Sequence, residues 1–166
     1  MLARQMPLSE DDDMRVDTSA IRLEPVTAEN WRQCAALRVR PDQTDFVQPV
    51  TYYLCLCAYG TTWRPLAIKK GSAIVGFVMW GIDDDRSRWI GGLVVDAAAQ
   101  RSGIARSAIQ QLLDRFANEP DCPNVALSYA ADNIAARSLY ASLGFTETGE
   151  TEEEGDELVA RWTPTR

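Results

Sequence analysis

Apolar and polar positions begin to alternate at Ile21, with Leu23 and Pro25 completing a short strand. Ahead of it, residues 1–20 carry Glu10, Asp11, Asp12, Asp13 and Asp17 without apolar periodicity, and read as a flexible acidic tail. Thr27 is placed to cap a helix with Asn30 at its N3 position; this helix runs to about Arg40 and stops before Pro41. Residues 41–49 read as a loop and 50–59 as a second helix ending near Gly60. Strands follow at 65–69 and 72–82, flanking the turn pair Lys70-Gly71. Asp83, Asp84 and Asp85 form a polar turn, and 88–95 is a third strand. Over 103–117, Ile104, Ala108, Ile109, Leu112, Leu113 and Phe116 fall on one helical face. A strand at 125–129, a short helix at 133–142 and a hairpin of 145–149 with 157–162, across the acidic loop 151–156, complete the chain.

The order is strand, two helices, three strands, helix, strand, helix, two strands. It predicts an α/β domain over residues 21–166, with helices flanking a mixed sheet and neither repeat nor interdomain linker. The length of 166 residues suits one such domain, and 46% apolar residues suffice for a core. The longest apolar run, 73–80, is strand-sized, so no membrane span is expected. No basic start precedes an apolar block, which predicts a cytoplasmic protein; Met14 is an alternative start to Met1.

Charge and residue inventory narrow the chemistry. A net charge of −7 argues against a nucleic-acid partner and suits a cationic substrate, although acidity for solubility alone fits as well. Four cysteines, Cys34, Cys55, Cys57 and Cys122, form no CxxC and read as buried thiols rather than a metal site. Histidine is absent, which excludes Ser-His-Asp and Cys-His catalysis in their usual form. Proton transfer is left to carboxylates, tyrosine, lysine, cysteine, backbone or water.

Two segments carry candidate chemistry. Gln100-Arg101-Ser102-Gly103-Ile104-Ala105 lies between the apolar strand ending at Leu93-Val94-Val95 and the helix that begins near Gly103. Unpaired N–H groups and the positive end of the helix dipole converge there on an anion. Gly103 permits close backbone approach, small Ala105 leaves room, and Arg101 and Arg106 add charge. An ordinary strand-to-helix turn would look the same. The second segment is Asn133-x-x-Ala136-x-x-Leu139-Tyr140-x-x-x-Gly144-Phe145. On a helix, Asn133, Arg137 and Tyr140 fall near one face while Leu139 and Leu143 pack inward. Asn133 also fits a plain N-cap, and Tyr140 a half-buried packing tyrosine.

Together the two segments resemble both signatures of the GNAT N-acetyltransferase superfamily, over roughly residues 21–162. The resemblance implies a mostly antiparallel sheet splayed at its centre, with acetyl-CoA as co-substrate. Its pantetheine would pair with the backbone near Leu93, Val94 and Val95, and its pyrophosphate would sit on Gln100, Arg101, Ser102, Gly103, Ile104, Ala105 and Arg106. Asn133 would contact the pantetheine arm. Tyr140 would protonate the departing thiolate after direct attack by an amine. A backbone N–H near Val95 would stabilise the oxyanion. Some members carry a catalytic glutamate eleven positions before the residue matching Gln100; here that position is Trp89. The general base is therefore unassigned, with Asp83, Asp84, Asp85, Glu29 and Tyr129 as weak candidates.

The stretch Val39-x-Pro41-x-Gln43-x-x-Phe46-Val47-x-Pro49 and the ending Thr148-Gly149-Glu150…Gly155-Asp156-Glu157 resemble members related to diamine and spermine/spermidine acetyltransferases. A small cationic acceptor, with Gln43 and Phe46 lining its site, is the resulting expectation. Phe46 equally fits simple packing of the loop. Aminoglycosides, amino acids and peptides are alternative acceptors, and a non-catalytic acyl-CoA-binding module is an alternative of another class. Trp63, Trp80 and Trp89 hint at an enclosed site. A homodimer through sheet edges or the C-terminal hairpin is also expected.

Overall fold

Pairing of alternating apolar segments builds the sheet of this computed structural model, which describes residues 20–152 and 155–165. The acidic tail expected over residues 1–20 lies outside the described residues except for Ala20, as do positions 153 and 154 of the acidic loop. The strands are β1 (Ile21–Pro25), β2 (Arg64–Lys70), β3 (Ala73–Ile82), β4 (Arg88–Val95), β5 (Val125–Ala130), β6 (Thr146–Thr151) and β7 (Glu157–Trp162). Among the described residues they form one seven-stranded sheet in the order β1-β2-β3-β4-β5-β7-β6. Every neighbouring pair is antiparallel except β4 with β5. Helices α1 (Trp31–Ala35), α2 (Val50–Tyr59), α3 (Ile104–Ala117) and α4 (Ile134–Ser142) flank it. No described helix is long and apolar enough to cross a membrane.

Two cores sandwich the sheet. On one face, Ile109, Leu112, Leu113 and Phe116 of α3 bury against Ile68, Val78, Trp80, Ile90 and Leu127. This apolar stripe, spaced three and four residues apart, is what makes α3 legible in the sequence. On the other face, Cys34 of α1 and Val50 of α2 close over Ala67, Phe77, Met79 and Val94. Cys34 and Cys122 are buried, Cys57 is half-buried and Cys55 is exposed.

The helix expected over residues 27–40 is cut to Trp31–Ala35. Asn30 stands in the N-cap position rather than at N3, and its side-chain oxygen accepts the Thr27 N–H at 2.7 Å. Beyond Ala35 the backbone finds partners outside any helix. Arg38 N–H donates to Asp96 Oδ2 at 3.1 Å, and Arg38 C=O accepts from Ala97 N–H at 2.7 Å. These long-range bonds supply what a helical turn would have supplied, so the helix has no reason to continue. A 3-10 turn, Pro41–Gln43, sits within the expected loop.

The feature that positions the site is a splay between β4 and β5. They pair only at Arg88↔Val125 and Trp89↔Ala126, then separate. The closed end is held by Arg88, 3% exposed, whose guanidinium reaches Glu119 Oε2 at 2.6 Å and Asp121 Oδ1 at 2.9 Å. Toward the open end, β4 carries one extra residue relative to β3, since Met79 faces Gly91 but Phe77 faces Val94. Gly92 takes φ +60° in this bulge. A Cβ there would lie 3.1 Å from Cγ of Tyr53, so the bulge and the α2 ring require each other.

Candidate active site

The splay opens into a groove of about 900 Å³. Of the residues singled out by sequence, Gln43, Phe46, Leu93, Val95, Gln100, Arg101, Gly103, Ile104, Ala105, Arg106, Asn133 and Tyr140 all line it. Val94 and Ser102 do not. The Val94 side chain is buried in the α1–α2 core, and Ser102 Oγ donates back to Ala99 C=O at 2.6 Å.

The loop ahead of α3 is shaped by its own backbone. Arg101 and Gly103 both have positive φ, +61° and +75°, and Gly103 occupies the N-cap of α3. A glycine at that cap presents the first helical N–H groups without a side chain in front of them. Ile104 buries its side chain, 2% exposed, leaving its backbone to the groove. Gln100 turns inward: its Nε2 donates to Val95 C=O at 3.0 Å and to Gln43 Oε1 at 2.7 Å. Gln43 Oε1 accepts Arg40 N–H as well. Both glutamines therefore brace two loops. Asp96 N–H donates to Val75 C=O across β3, so strand alternation points the backbone of Val95 the other way, into the splay.

On the opposite wall, Asn133 caps α4 by accepting Ala136 N–H on Oδ1 at 3.2 Å, which leaves its amide nitrogen toward the groove. Arg106 donates to Ser142 Oγ at 2.6 Å, joining the start of α3 to the end of α4. Tyr140, not Leu139 or Leu143, is the most buried residue of α4, packed edge-on to Phe145 and against Tyr129. Among the described residues its hydroxyl has no hydrogen-bond partner. Burial pushes this phenol well above its ordinary pKa, with Tyr129, Glu157 and Tyr53 adding to the shift. It keeps its proton through the neutral range and offers it to the groove.

Across the sheet, the α1–α2 face supplies an aromatic chamber of Tyr52, Tyr53, Trp63 and Trp89. Trp80 lies instead in the core against Phe116. Tyr53 accepts the Gln48 N–H on its hydroxyl at 2.9 Å and stacks on Phe77. Among the described residues, the carboxylates lining the groove are Asp42, Glu152 and Glu157. Asp83, Asp84, Asp85 and Glu29 do not line it, and Tyr129 donates its hydroxyl to Glu147. Two buried donors lack partners among the described residues, Arg40 Nε and Trp89 Nε1, and both residues line the groove. Arg40, at the end of the expected helix, and Glu157, within the C-terminal motif, also line the groove, and no local pattern in the sequence marks either as a site residue.

Residues 26–145 match the Acetyltransferase (GNAT) family. The chain belongs to this family. As a GNAT acetyltransferase it is 25% identical over 154 residues to the spermine/spermidine N(1)-acetyltransferase of Bacillus subtilis, covering 86% of this chain and 98% of that protein. Its fold is shared with spermidine N-acetyltransferase from Vibrio cholerae in complex with CoA and spermine, at TM-score 0.68 and 20% identity over 86% of this chain and 94% of that one. It is also shared with the ribosomal-protein-S18-alanine N-acetyltransferase of Escherichia coli, at TM-score 0.67 and 17% identity over 88% and 95%. Membership of this family makes the chain an acetyltransferase and implies acetyl-CoA as its co-substrate.

Proposed function

We propose that this GNAT enzyme moves the acetyl group of acetyl-CoA directly to a primary amine of a small, cationic, polyamine-like acceptor. One observation carries the reading. The groove runs from the N-terminus of α3, through the splay, into a chamber walled by Tyr52, Tyr53, Trp63 and Trp89 and containing carboxylates. Aromatic faces and carboxylates together recognise alkylammonium groups, and a net charge of −7 draws cations toward them.

In this reading the N–H groups of Gly103, Ile104, Ala105 and Arg106 take the pyrophosphate, with Arg101 and Arg106 supplying charge. Arg40 Nε, buried and unpartnered beside the same loop, adds a donor. The backbone of Leu93 and Val95 pairs with the pantetheine arm, Val94 contributes packing alone, and Asn133 donates from its free amide nitrogen. The Val95 N–H faces the developing oxyanion. Tyr140 offers its proton to sulfur as the C–S bond breaks. Gln43 fixes the acceptor loop and Phe46 walls it. Pairing into a homodimer would use an outer strand, and β7 lies inside the sheet, so β6 is the available edge of the C-terminal hairpin.

Release of free thiol from acetyl-CoA, measured across spermine, spermidine, short diamines, aminoglycosides, amino acids and peptides, tests the proposal. Fastest release with polyamines is the expected result. Release with another class alone would keep the transferase and discard the polyamine acceptor. Tight acetyl-CoA binding without release from any amine would leave a binding module.

A further inference from the structure

Position 89, where the resemblance to some family members implies a catalytic glutamate, holds a tryptophan here, yet the same groove is also lined by the carboxylate of Glu157. Glu157 opens β7, and β7 lies against β5 rather than at the sheet edge. The register sets Glu157 opposite Ala130 and Val159 opposite Ser128. Cross-strand partners share a face, so Glu157 and Ser128 project to the same side of the sheet. Leu127 and Tyr129 project to the other side, into the α3–α4 core. Trp89, paired with Ala126, belongs to the face of Ser128 and Glu157.

The carboxylate is oriented. Ser128 Oγ donates to Glu157 Oε2 at 2.7 Å, which leaves Oε1 for another donor. Its charge reaches both phenols that flank the splay, Tyr140 from α4 and Tyr53 from α2. Of the other described carboxylates lining the groove, Asp42 is paired with Arg40 at 3.4 Å, and Glu152 lies beside Glu157 in the hairpin, its backbone N–H donating to Glu157 C=O. Arg161, two positions beyond Val159, is committed to Asn124 and Glu150. Glu157 thus faces the opening from the acceptor side while Tyr140 faces it from the cofactor side.

We propose that Glu157, held by Ser128, docks the attacking ammonium of the acceptor and takes its proton, replacing the base absent at Trp89. This rests on the amine-acetyltransferase reading above. The nitrogen lone pair freed by the first proton forms the N–C bond to the acetyl carbon, the C–S bond breaks, and sulfur leaves with its electron pair. The second proton lost by nitrogen balances the one that sulfur takes from Tyr140. The net products are an N-acetylated amine, free CoA thiol and one proton delivered through Glu157 to solvent. In water, transfer from an alkylammonium to a carboxylate is uphill by about 6 pK units. Attack on the adjacent thioester consumes the neutral amine as it forms and so draws the transfer forward.

Glu157→Gln, which keeps shape and the Ser128 contact, tests this on the full chain with the best amine of the panel. The expected result is a fall in kcat/KM of roughly 10²-fold, with loss of the acid limb of its pH profile and unchanged acetyl-CoA affinity. Ser128→Ala, which frees the carboxylate without removing it, should cost several-fold, mainly in the KM of the amine. A Glu157→Gln enzyme with wild-type kcat/KM and pH profile would overturn the assignment while leaving the amine-transfer reading intact. Wild-type protein inactive toward every amine would overturn that reading and this assignment with it. Loss of acetyl-CoA binding in Glu157→Gln would show a structural role and also overturn the assignment.

Discussion

The side-chain oxygen of Gln43 accepts a hydrogen bond from Nε2 of Gln100 at 2.7 Å, joining the loop before α2 to the loop before α3. One loop walls the proposed acceptor chamber and the other leads into α3, so the two ends of the groove share a tether. Gln43→Ala and Gln100→Ala should each raise the KM of acetyl-CoA and of the amine together, by roughly 5-fold for a bond worth about 1 kcal/mol. The double variant should cost less than the sum of the single ones, because both changes remove the shared bond while each also loses one of its own, to Arg40 N–H or to Val95 C=O. Steady-state kinetics in both substrates checks this, and additive losses would count against a shared tether.

Tyr140 is buried and its hydroxyl has no hydrogen-bond partner among the described residues, so removing that oxygen leaves packing almost untouched. Tyr140→Phe should lower kcat by about 10²-fold or more while acetyl-CoA affinity stays within about 2-fold. A wild-type rate in this variant would take Tyr140 out of the chemistry. Its melting temperature should hold, since no hydrogen bond is lost with the hydroxyl.

Gly103 and Gly92 are both held at positive φ, +75° and +60°, for different purposes. Gly103→Val should weaken CoA binding by crowding the first N–H groups of α3, with a modest loss of stability. Gly92→Val should act through the fold, since its Cβ meets Tyr53 at 3.1 Å; a loss of about 2 kcal/mol is expected from strain and displacement of the ring. Isothermal titration with CoA and thermal melts separate the two. Normal CoA affinity in Gly103→Val would remove the loop from cofactor binding.

Arg88 is the buried cation that secures the closed end of the splay through Glu119 and Asp121. Arg88→Ala should cost about 2 kcal/mol at neutral pH, because its bonds to two carboxylates are lost. The Asp121 carboxyl is held below its ordinary range, first by Arg86 and then by Arg88. Glu147, through Arg137 and Tyr129, and Asp85, through Ser87, are lowered likewise. A carboxyl whose folded pKa is depressed adds stability above its unfolded value of about 3.9–4.3 and loses it as pH falls through the folded value. Wild-type melting temperature should therefore decline below about pH 4, and Arg88→Ala should flatten part of that decline. Parallel curves for the two proteins between pH 2 and 7 would refute the role of Arg88.

Local patterns were legible where one face of an element carries the burial. The stripe from Ile104 to Phe116 gave α3, and the run Arg88–Val95 gave β4 with its bounds. The helix over 27–40 failed because Arg38 answers to Asp96, 58 residues away, a partner no local window contains. The residues proposed for the cofactor side drew attention because one loop and one helix carry them in contiguous motifs, and the fold brings most of them to one groove. Glu157 was not, since its place depends on β7 inserting between β5 and β6 and on a hydrogen bond to Ser128, 29 residues earlier. Gln43 drew attention as a substrate contact, and only the folded loops reveal its bond to Gln100.

Two rungs of backbone pairing join the halves of the sheet, Arg88↔Val125 and Trp89↔Ala126. A molecule lying in the splay would add the rungs that the strands do not make, and would bind the folded chain alone. Each hundredfold excess over its dissociation constant then adds about 2.7 kcal/mol of stability. In a cell, the half-life of this protein would thus follow the supply of its thioester: well-fed metabolism would preserve the chain and starvation would expose it to proteolysis.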